Sequence, residues 1–151
     1  TNSKKKIKKK NKKFWNLISV GRLSIQKNHE LTIKAVDKII NKHKIKNIKL
    51  NIIGEGELKT KLNALIKNLN LNKNIKLIKS QNPHSFLKKS DIYILSSLYE
   101  GLPNTLLEAL CYKKIIISSC CKTGPKEILQ NGKYGFLIDS NKSPFGTKHI
   151  L

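Results

Sequence analysis

The sequence has no methionine, few cysteines and acidic residues, and no long apolar run. No apolar segment approaches the roughly 18 residues of a membrane-spanning helix, and no apolar stretch follows the charged N-terminus as in a secretory signal. The three cysteines lack a metal-type C-x-x-C spacing, and two of them are adjacent, a placement that rarely forms a disulfide. These absences disfavour a membrane-spanning or disulfide-stabilised protein. We expect one cytoplasmic domain in these 151 residues, cut from a longer protein because no initial Met is present.

Positive charge dominates the composition, with a net charge of +22 that comes from 30 lysines and a single arginine. The abundance of Lys, Asn and Ile is typical of an AT-rich genome and favours a solvated lysine surface set by codon bias. Proteins that read nucleic acid usually also recruit Arg for its bidentate fork, so no specific nucleic-acid partner is expected. Such a surface is still attracted to anionic lipid headgroups. Peripheral contact with the inner face of a membrane therefore stays open.

The chain divides into a basic arm, residues 1–13, and a domain, residues 14–151. The arm is a low-complexity lysine run for which we expect disorder or a linker. Apolar periodicity in the domain predicts strands at residues 14–20, 48–53, 75–78, 91–95, 115–118 and 135–138. It predicts helices at residues 28–43, 57–69, 83–89, 104–112 and about 126–130. This alternation predicts an α/β fold, a doubly wound, Rossmann-like parallel sheet covered on both faces.

Glycines and polar side chains follow the predicted strands, whereas the opposite loops are mostly Lys and Asn. In a doubly wound sheet the carboxyl ends of all strands meet at one edge, where ligands bind. The residues at this edge are Gly21 and Arg22, then Gly54, Glu55 and Gly56, then Ser80, Gln81 and Asn82, then residues 96–101, and finally residues 119–125. The asymmetry predicts a ligand site at this edge of the sheet.

Two basic residues in the first loop point to an anionic ligand. Arg22 is the only arginine, which suggests a task that Lys performs poorly, such as bidentate binding of phosphate. Lys27 lies near the predicted start of the next helix, whose N-terminus adds partial positive charge. Together they predict a diphosphate clamp, with a purely local bridge by Arg22 as an equal alternative. The glycines at 54 and 56 favour a tight turn over a phosphate cradle.

Two of the nine acidic residues bracket the junction between the fourth strand and the helix after it. Glu100 lies in the loop, Pro103 is well placed to start the helix, and Glu108 lies about one turn inside it. Carboxylates accept hydrogen bonds from vicinal hydroxyls, so the pair suits a sugar or a ribose. Spacing alone favours a simpler interpretation, an acid at a helix N-terminus and a solvated helix acid.

An ordered set of motifs resolves these alternatives through resemblance. Its members are Val20-Gly21-Arg22-Leu23 with Lys27-Asn28, Ile53-Gly54-Glu55-Gly56, Ser90-Asp91-Ile92-Tyr93-Ile94, Ser97, Glu100-Gly101-Leu102-Pro103, Glu108-Ala109-Leu110, Gly124-Pro125-Lys126-Glu127-Ile128 and Asn131 to Leu137. Over residues 16–139 the chain resembles family 4 glycosyltransferases, specifically the C-terminal domain of their two-domain GT-B fold. The resemblance implies a nucleotide-sugar donor site and a glycan or lipid-linked acceptor.

The resemblance also assigns roles to individual residues. Arg22 and Lys27 would neutralise the diphosphate and stabilise the departing nucleoside diphosphate, and Glu100 would lie close to the donor sugar. These three are the implied catalytic residues, and Glu108 would bind the ribose hydroxyls. The other implied donor-binding residues are Gly21, Gly54, Glu55, Ser80, Gln81, Asn82, Gly101, Leu102, Asn104 and Thr105.

Members of this family retain the anomeric configuration of the donor and generally need no metal, so no metal or cofactor is expected. The stretch 121–128 looks like bacterial members that build cell-surface or lipid-linked glycans, often from UDP-sugars. Lys113 and Ile115 stand where the family usually has Gly and Pro, which puts the geometry of that turn in question. The family's acceptor-binding domain and closing helix have no counterpart here, so we expect a donor-binding half with little activity alone.

Two further interpretations remain beside the transferase. The chain could be a non-enzymatic basic domain that binds nucleic acid or anionic membrane through residues 1–13. It could also be a degenerate fragment of a decayed gene, which would keep the motifs and lack activity.

Overall fold

A computed structural model describes residues 13–79, 81–121 and 123–139 of the chain. Nearly all of the predicted arm, and Ser80 among the predicted site residues, lie outside the described residues. The strands are β1 (Trp15–Val20), β2 (Ile48–Ile53), β3 (Ile75–Ile78), β4 (Ile92–Leu95), β5 (Ile115–Ser119) and β6 (Phe136–Ile138). The helices are α1 (His29–Asp37), α2 (Lys59–Asn68), α3 (His84–Lys89), α4 (Asn104–Cys111) and α5 (Pro125–Ile128).

All six strands pair in parallel, in the order β3-β2-β1-β4-β5-β6. In register, Leu17 of β1 lies beside Leu50 of β2 on one side and Ile92 of β4 on the other. The order runs outward in one direction from β1 to β3 and in the other from β4 to β6. This is the Rossmann arrangement, and the predicted α/β fold class is confirmed.

Apolar side chains form one core layer on each face of the sheet. On the first face, Ile33 of α1 and Leu62 of α2 pack against Leu50 and its neighbours. On the second face, helices α3 to α5 cover a layer that includes Tyr93 and Ile116. Full burial of an aliphatic side chain stabilises a fold by about 1.5–3 kcal/mol. Continuous apolar runs in the strands follow from this burial on both sides.

The predicted helix at residues 28–43 is divided in the structure. Regular α-helix ends at Asp37, and a π-helical turn, Lys38–Lys42, follows it. Its widened hydrogen bond runs from the His43 N–H to the Lys38 carbonyl at 3.1 Å. Lys44 then adopts a left-handed backbone with φ of 59° and ends the helix. The apolar pattern continues through this turn, which is why the sequence predicts one uninterrupted helix.

The turn after α4 forms without the glycine that such a turn favours. Lys113 takes the left-handed conformation with φ of 53°, and its N–H donates to the Leu110 carbonyl at 2.8 Å. A Cβ is strained in that region, so Lys113 is accommodated at some cost. Ile115 starts β5 directly afterwards.

An apolar groove of about 590 Å³ lies on the first face, beside α1 and over β4 to β6. It is lined by Leu17, Ile94 and Ile117 among others, and none of the predicted charged site residues contributes to it. Within the described residues, no helix has both the length and the hydropathy that crossing a bilayer requires.

Candidate functional site

Most of the predicted site residues gather at the carboxyl edge of the sheet. The loop after β1 and the loop after β4 are neighbours there, because β1 and β4 are paired strands. The strand order reverses between these two strands, and open α/β sheets bind ligands at such a switch point. The local topology therefore brings residues 21–28 and residues 96–103 to one place.

Close backbone contact joins the β1 loop to the β2 loop. A Cβ on Gly54 would lie 2.0 Å from the Gly21 carbonyl oxygen, and a Cβ on Gly56 would lie 2.4 Å from that of Leu23. The Leu23 N–H donates to the Glu55 carbonyl at 2.8 Å. The close approach of one backbone to another therefore accounts for both glycines, a reason different from the tight turn that the sequence favours.

Lys27 and Glu100 form an ion pair between the β1 and β4 loops. The Lys27 Nζ lies 2.5 Å from Oε1 of Glu100, and the same oxygen accepts a hydrogen bond from the Ser97 hydroxyl at 2.5 Å. The side chains are 18% and 6% exposed, so each charge is largely removed from water and compensated by the other. Ser96 donates to the Lys27 carbonyl at 2.9 Å and fixes the same junction.

The β5 loop supports the Glu100 segment from the other side. The Thr123 hydroxyl donates to the Glu100 carbonyl at 2.8 Å, and the Ser119 hydroxyl donates to the Ser97 carbonyl at 2.6 Å. Gly124 has a φ of 88°, and a Cβ there would lie 2.6 Å from the Gly101 carbonyl. The sequence locates this loop at the edge but assigns no role to Ser119 or Thr123. The Gly124-Pro125 pair is the one signal that marks the loop.

Cys121, in the same β5 loop, is buried and also contacts the segment before Glu100. Its Sγ donates to the Ser97 carbonyl at 3.2 Å. Burial raises the pKa of the thiol, which therefore stays protonated near neutral pH. Cys111 and Cys120 are free and exposed.

Arg22 is exposed at the same edge, close in sequence to the ion pair. Within the described residues its guanidinium has neither a hydrogen-bond nor an ion-pair partner. Of the two predicted clamp residues, Arg22 is therefore available to an incoming anion, while Lys27 is already paired with Glu100. Arg22, which the sequence singles out as the only arginine, is thus unpaired within the described part of the folded chain.

Glu108 occupies the second turn of α4, which starts at Asn104 directly after Pro103 as predicted. Its carboxylate is half-buried and has no hydrogen-bond or ion-pair partner among the described residues. Thr105 lies in the first turn, and its hydroxyl is 2.7 Å from the hydroxyl of the buried Tyr93. Glu108 is therefore free to accept hydrogen bonds, whereas Thr105 already has an internal partner.

The remaining predicted residues are more exposed. Glu55 forms ion pairs with Lys79 at 3.0 Å and Lys59 at 3.6 Å, and the hydrogen bond from Lys79 lowers the pKa of its carboxyl. The Asn82 Oδ1 accepts a hydrogen bond from the His84 backbone at 3.1 Å. The other exposed predicted residues are Gln81, Gly101, Leu102 and Asn104. These residues lie at the solvent-facing rim of the edge.

His29, at the start of α1, is a buried residue that the sequence interpretation missed. Its Nε2 lies 3.4 Å from the Gly21 carbonyl oxygen and its Nδ1 lies 3.3 Å from the Ser19 hydroxyl. Burial, with a smaller contribution from the charge of Lys27, lowers the pKa of His29 from 6.5 to about 4. The neutral ring lies beneath the Gly21 turn. Nothing in the apolar pattern marks it, because His commonly occurs at exposed helix starts.

The described residues contain no group of three or more His, Cys, Asp or Glu side chains that could hold a metal ion. Besides Glu55 and its lysine partners, the described part of the edge holds one unpaired cation, Arg22, one cation paired with a carboxylate, Lys27 with Glu100, and one unpaired carboxylate, Glu108. This arrangement matches a ligand that carries both phosphate and vicinal hydroxyl groups.

Comparison with known proteins gives consistent relatives. The family model described as glycosyl transferases group 1 matches residues 1–145. An uncharacterized glycosyltransferase of Methanocaldococcus jannaschii is 43% identical over 147 residues, covering 88% of this chain and 35% of that protein. A Campylobacter jejuni protein named N-acetylgalactosamine-N,N'-diacetylbacillosaminyl-diphospho-undecaprenol 4-alpha-N-acetylgalactosaminyltransferase is 35% identical, covering 89% of this chain and 37% of that protein. The chain spans about a third of the length of these relatives.

The fold is shared with solved glycosyltransferase structures. TarM of Staphylococcus aureus, in complex with fondaparinux, alpha-GlcNAc-glycerol and UDP, superposes with a TM-score of 0.78 at 26% identity. The match covers 85% of this chain and 27% of that one. Because the family model covers nearly the whole sequence, the chain belongs to the group 1 glycosyltransferases, and its Rossmann-like fold is that of GT-B glycosyltransferase structures.

Proposed function

We propose that this chain supplies the donor-binding half of a retaining glycosyltransferase that transfers a sugar from a UDP-sugar to a glycan or lipid-linked acceptor. The observation that carries the proposal is the arrangement at the β1–β4 switch point. There the Lys27–Glu100 pair lies between the two loops, with the unpaired guanidinium of Arg22 and the unpaired carboxylate of Glu108 at the same edge of the described structure. The division into an arm, residues 1–13, and a domain, residues 14–151, is part of this proposal.

In the proposed complex the diphosphate lies between Arg22 and Lys27. As the bond between the anomeric carbon and the diphosphate oxygen breaks, negative charge develops on the departing diphosphate. A guanidinium and an ammonium held at that point stabilise the charge without reorganising solvent. The N-terminus of α1, which follows Lys27 after one residue, adds its partial positive charge.

Glu100 is proposed to hold the donor sugar. Within the described structure its Oε1 accepts hydrogen bonds from both Lys27 and Ser97, which leaves Oε2 to accept one from a sugar hydroxyl. Backbone amides near Gly101 and Leu102 contribute further donors. Eight further residues complete the nucleotide contact in this proposal: Gly21, Gly54, Glu55, Ser80, Gln81, Asn82, Asn104 and Thr105.

Glu108 is proposed to bind the ribose hydroxyls of the nucleotide. A free, half-buried carboxylate can accept two hydrogen bonds from a vicinal diol, and charge-assisted bonds of this kind are the stronger class. UDP is supported as the nucleotide by the TarM complex, which contains it. A lipid-linked acceptor is supported by the undecaprenol diphosphate substrate in the name of the Campylobacter relative. Recognition of the acceptor, and most of the activity, is proposed to need the rest of the protein.

Thermal unfolding with nucleotides tests the donor site. We expect UDP at millimolar concentration to raise the melting temperature, because a ligand at 100 times its Kd stabilises a protein by about 2.7 kcal/mol. Arg22→Lys should lose most of the shift, since Lys cannot make the bidentate contact, and Glu108→Ala should do the same. Asp37→Ala is a matched control, because it removes a helix carboxylate at the far end of α1.

Two results would contradict the proposed donor site. A well-folded sample whose melting temperature does not respond to UDP, GDP or ADP at millimolar concentration would contradict a donor site. Equal losses in Asp37→Ala and Glu108→Ala would contradict the specific role of Glu108.

A second function, peripheral contact with an anionic membrane, is carried by the net charge of +22. Each lysine close to an anionic membrane surface contributes about 1 kcal/mol to the free energy of binding. This contact is compatible with transfer to a lipid-linked acceptor and would hold the protein at the cytoplasmic face of the membrane.

A further inference from the structure

Tyr93 of β4 brings a hydroxyl group into the second core layer. The side chain is fully buried and packs with Ile18, Leu106 and Ile116. A buried hydroxyl without a partner is costly, so its hydrogen bond is a required part of the core. In the described structure that partner is the Thr105 hydroxyl, at 2.7 Å.

Both partners of this hydrogen bond carry a proton. Burial and the negative charges of Glu100 and Glu108 raise the pKa of the phenol, so it keeps its proton across the physiological range. Either hydroxyl can therefore be the donor, and in both cases the bond holds the phenol oxygen and the half-buried Thr105 together.

The hydrogen bond joins β4 to the first turn of α4, the helix that carries Glu108. Thr105 and Glu108 are three residues apart, and residues at that spacing are neighbours on a helix surface. A constraint on Thr105 is thus transmitted to Glu108 through less than one helical turn.

Apolar packing alone would fix α4 less well. Leu106 and Ala109 are buried against the sheet, but hydrophobic contact is non-directional and tolerates small rotations and slides. A short hydrogen bond has strict distance and angle requirements. The phenol oxygen therefore sets the rotation of the helix, while the apolar residues hold it against the sheet.

We propose that Tyr93 is a positioning residue for nucleotide recognition: through Thr105 it orients α4 so that the Glu108 carboxylate meets the ribose hydroxyls. This inference rests on the proposed function and adds to it a residue that touches no ligand. Its specific consequence is that the Tyr93 hydroxyl controls discrimination between a ribose and a deoxyribose.

The test compares the affinities of UDP and 2′-deoxy-UDP for the wild-type chain and for Tyr93→Phe by calorimetry. The wild type should prefer UDP by about tenfold or more, as a hydrogen bond to a charged group predicts. Tyr93→Phe should reduce that preference to about threefold or less. Tyr112→Phe is the matched control, because it removes an exposed hydroxyl, 3.4 Å from Nδ1 of His84, at the other end of α4. It should keep the full preference.

A variant of the partner residue keeps the inference testable if Tyr93→Phe folds poorly. Thr105→Val removes the hydroxyl that pairs with Tyr93 and should reduce the preference for UDP to about threefold or less, as Tyr93→Phe does. A purely structural role would lower the melting temperature and leave the ratio of the two affinities unchanged, and that result would overturn the inference. A wild-type chain that binds no nucleotide, or binds both equally, would instead overturn the proposed function and the inference with it.

Discussion

At the residue scale, the two glutamates of the site lie in different environments. Glu100 is held by Lys27 and Ser97 through one carboxylate oxygen, so its position is set before any ligand arrives. Glu108 is unpaired within the described residues and depends on α4 for its direction. One carboxylate is fixed by charge, the other by the helix that carries it.

The sequence could predict which residue types meet at the edge, but not how they pair. Arg22 stood out because it is the only arginine, and Glu100 and Glu108 because acids are few. The Lys27–Glu100 ion pair joins residues 73 positions apart, and no local pattern reports on such a contact. His29 was missed for a related reason, since its burial follows from the packing of α1 beneath the Gly21 turn.

His29 gives the free energy of unfolding a pH dependence. Its pKa is about 4 in the folded chain and 6.5 when unfolded, so below pH 6.5 the unfolded state binds a proton that the folded state does not. This contribution to stability is fully present above pH 6.5 and is lost as the pH falls towards 4. At about 1.4 kcal/mol per pKa unit, the loss is on the order of 3 kcal/mol.

Urea unfolding at several pH values between 7 and 4.5 measures how steeply the free energy of unfolding falls with pH. We expect His29→Gln to be less stable at pH 7 and to show a flatter dependence on pH. His43→Gln is the control, because His43 is exposed and follows the end of the helical segment. Equal slopes in the wild type and in His29→Gln would show that His29 is not the group responsible.

At the element scale, every strand and every α-helix was predicted, with most bounds within two residues. Strands β2 and β3 were predicted at their observed bounds, because apolar residues predominate in each and polar or turn-forming residues flank it. The π-helical turn Lys38–Lys42 was not predicted, since a widened turn leaves the apolar pattern nearly unchanged. The supporting contacts of the β5 loop were also not predictable, because they depend on how three loops pack together.

Gly54 lies where the first two loops touch, and its substitution tests that contact. A Cβ at 2.0 Å from the Gly21 carbonyl cannot be accommodated unless the backbone moves. We expect Gly54→Ala to lower the free energy of unfolding by about 1–3 kcal/mol, the usual cost of forcing extra volume into a packed site. Urea denaturation provides the measurement.

Gly101→Ala is the matched control for Gly54→Ala. Nothing lies within 4 Å of a Cβ at Gly101, so the same chemical change should alter stability by less than about 0.5 kcal/mol. If the two variants proved equally stable, the close approach of the β1 and β2 loops would not contribute to the fold.

At the scale of the whole molecule, the densest run of positive charge and the apolar pattern of the fold occupy different parts of the sequence. The apolar pattern that predicts the fold lies within residues 14–138, whereas eight of the 30 lysines lie within residues 1–13. A biased base composition predicts many lysines but does not predict that they cluster at one end. The Rossmann arrangement was predictable from the alternation of elements, and the exact strand order required the structure.

Deletion of residues 1–13 tests whether the arm mediates membrane contact. We expect the deletion to abolish sedimentation with vesicles that contain phosphatidylserine, because attraction to an anionic surface scales with the number of nearby lysines. The UDP-induced shift in melting temperature should persist, since the proposed site lies entirely within the domain. Vesicles of phosphatidylcholine alone are the control surface.

Two outcomes would contradict this separation. Undiminished vesicle binding by the truncated chain would place the contact on the domain surface. Loss of the UDP response on truncation would show that the arm contributes to the nucleotide site.

The pairing of β4 with β1 also determines the stage of folding at which the proposed site forms. Strands β1 to β3 are adjacent in the sheet and close in sequence. The Lys27–Glu100 ion pair, in contrast, cannot form until Glu100, 73 residues further on, has been synthesised. The supporting hydroxyl of Thr123 arrives later still. Contacts between residues so far apart in sequence form slowly, because a long loop must close first. The proposed site is therefore complete only when the three loops have docked, and a bound nucleotide would stabilise only that form.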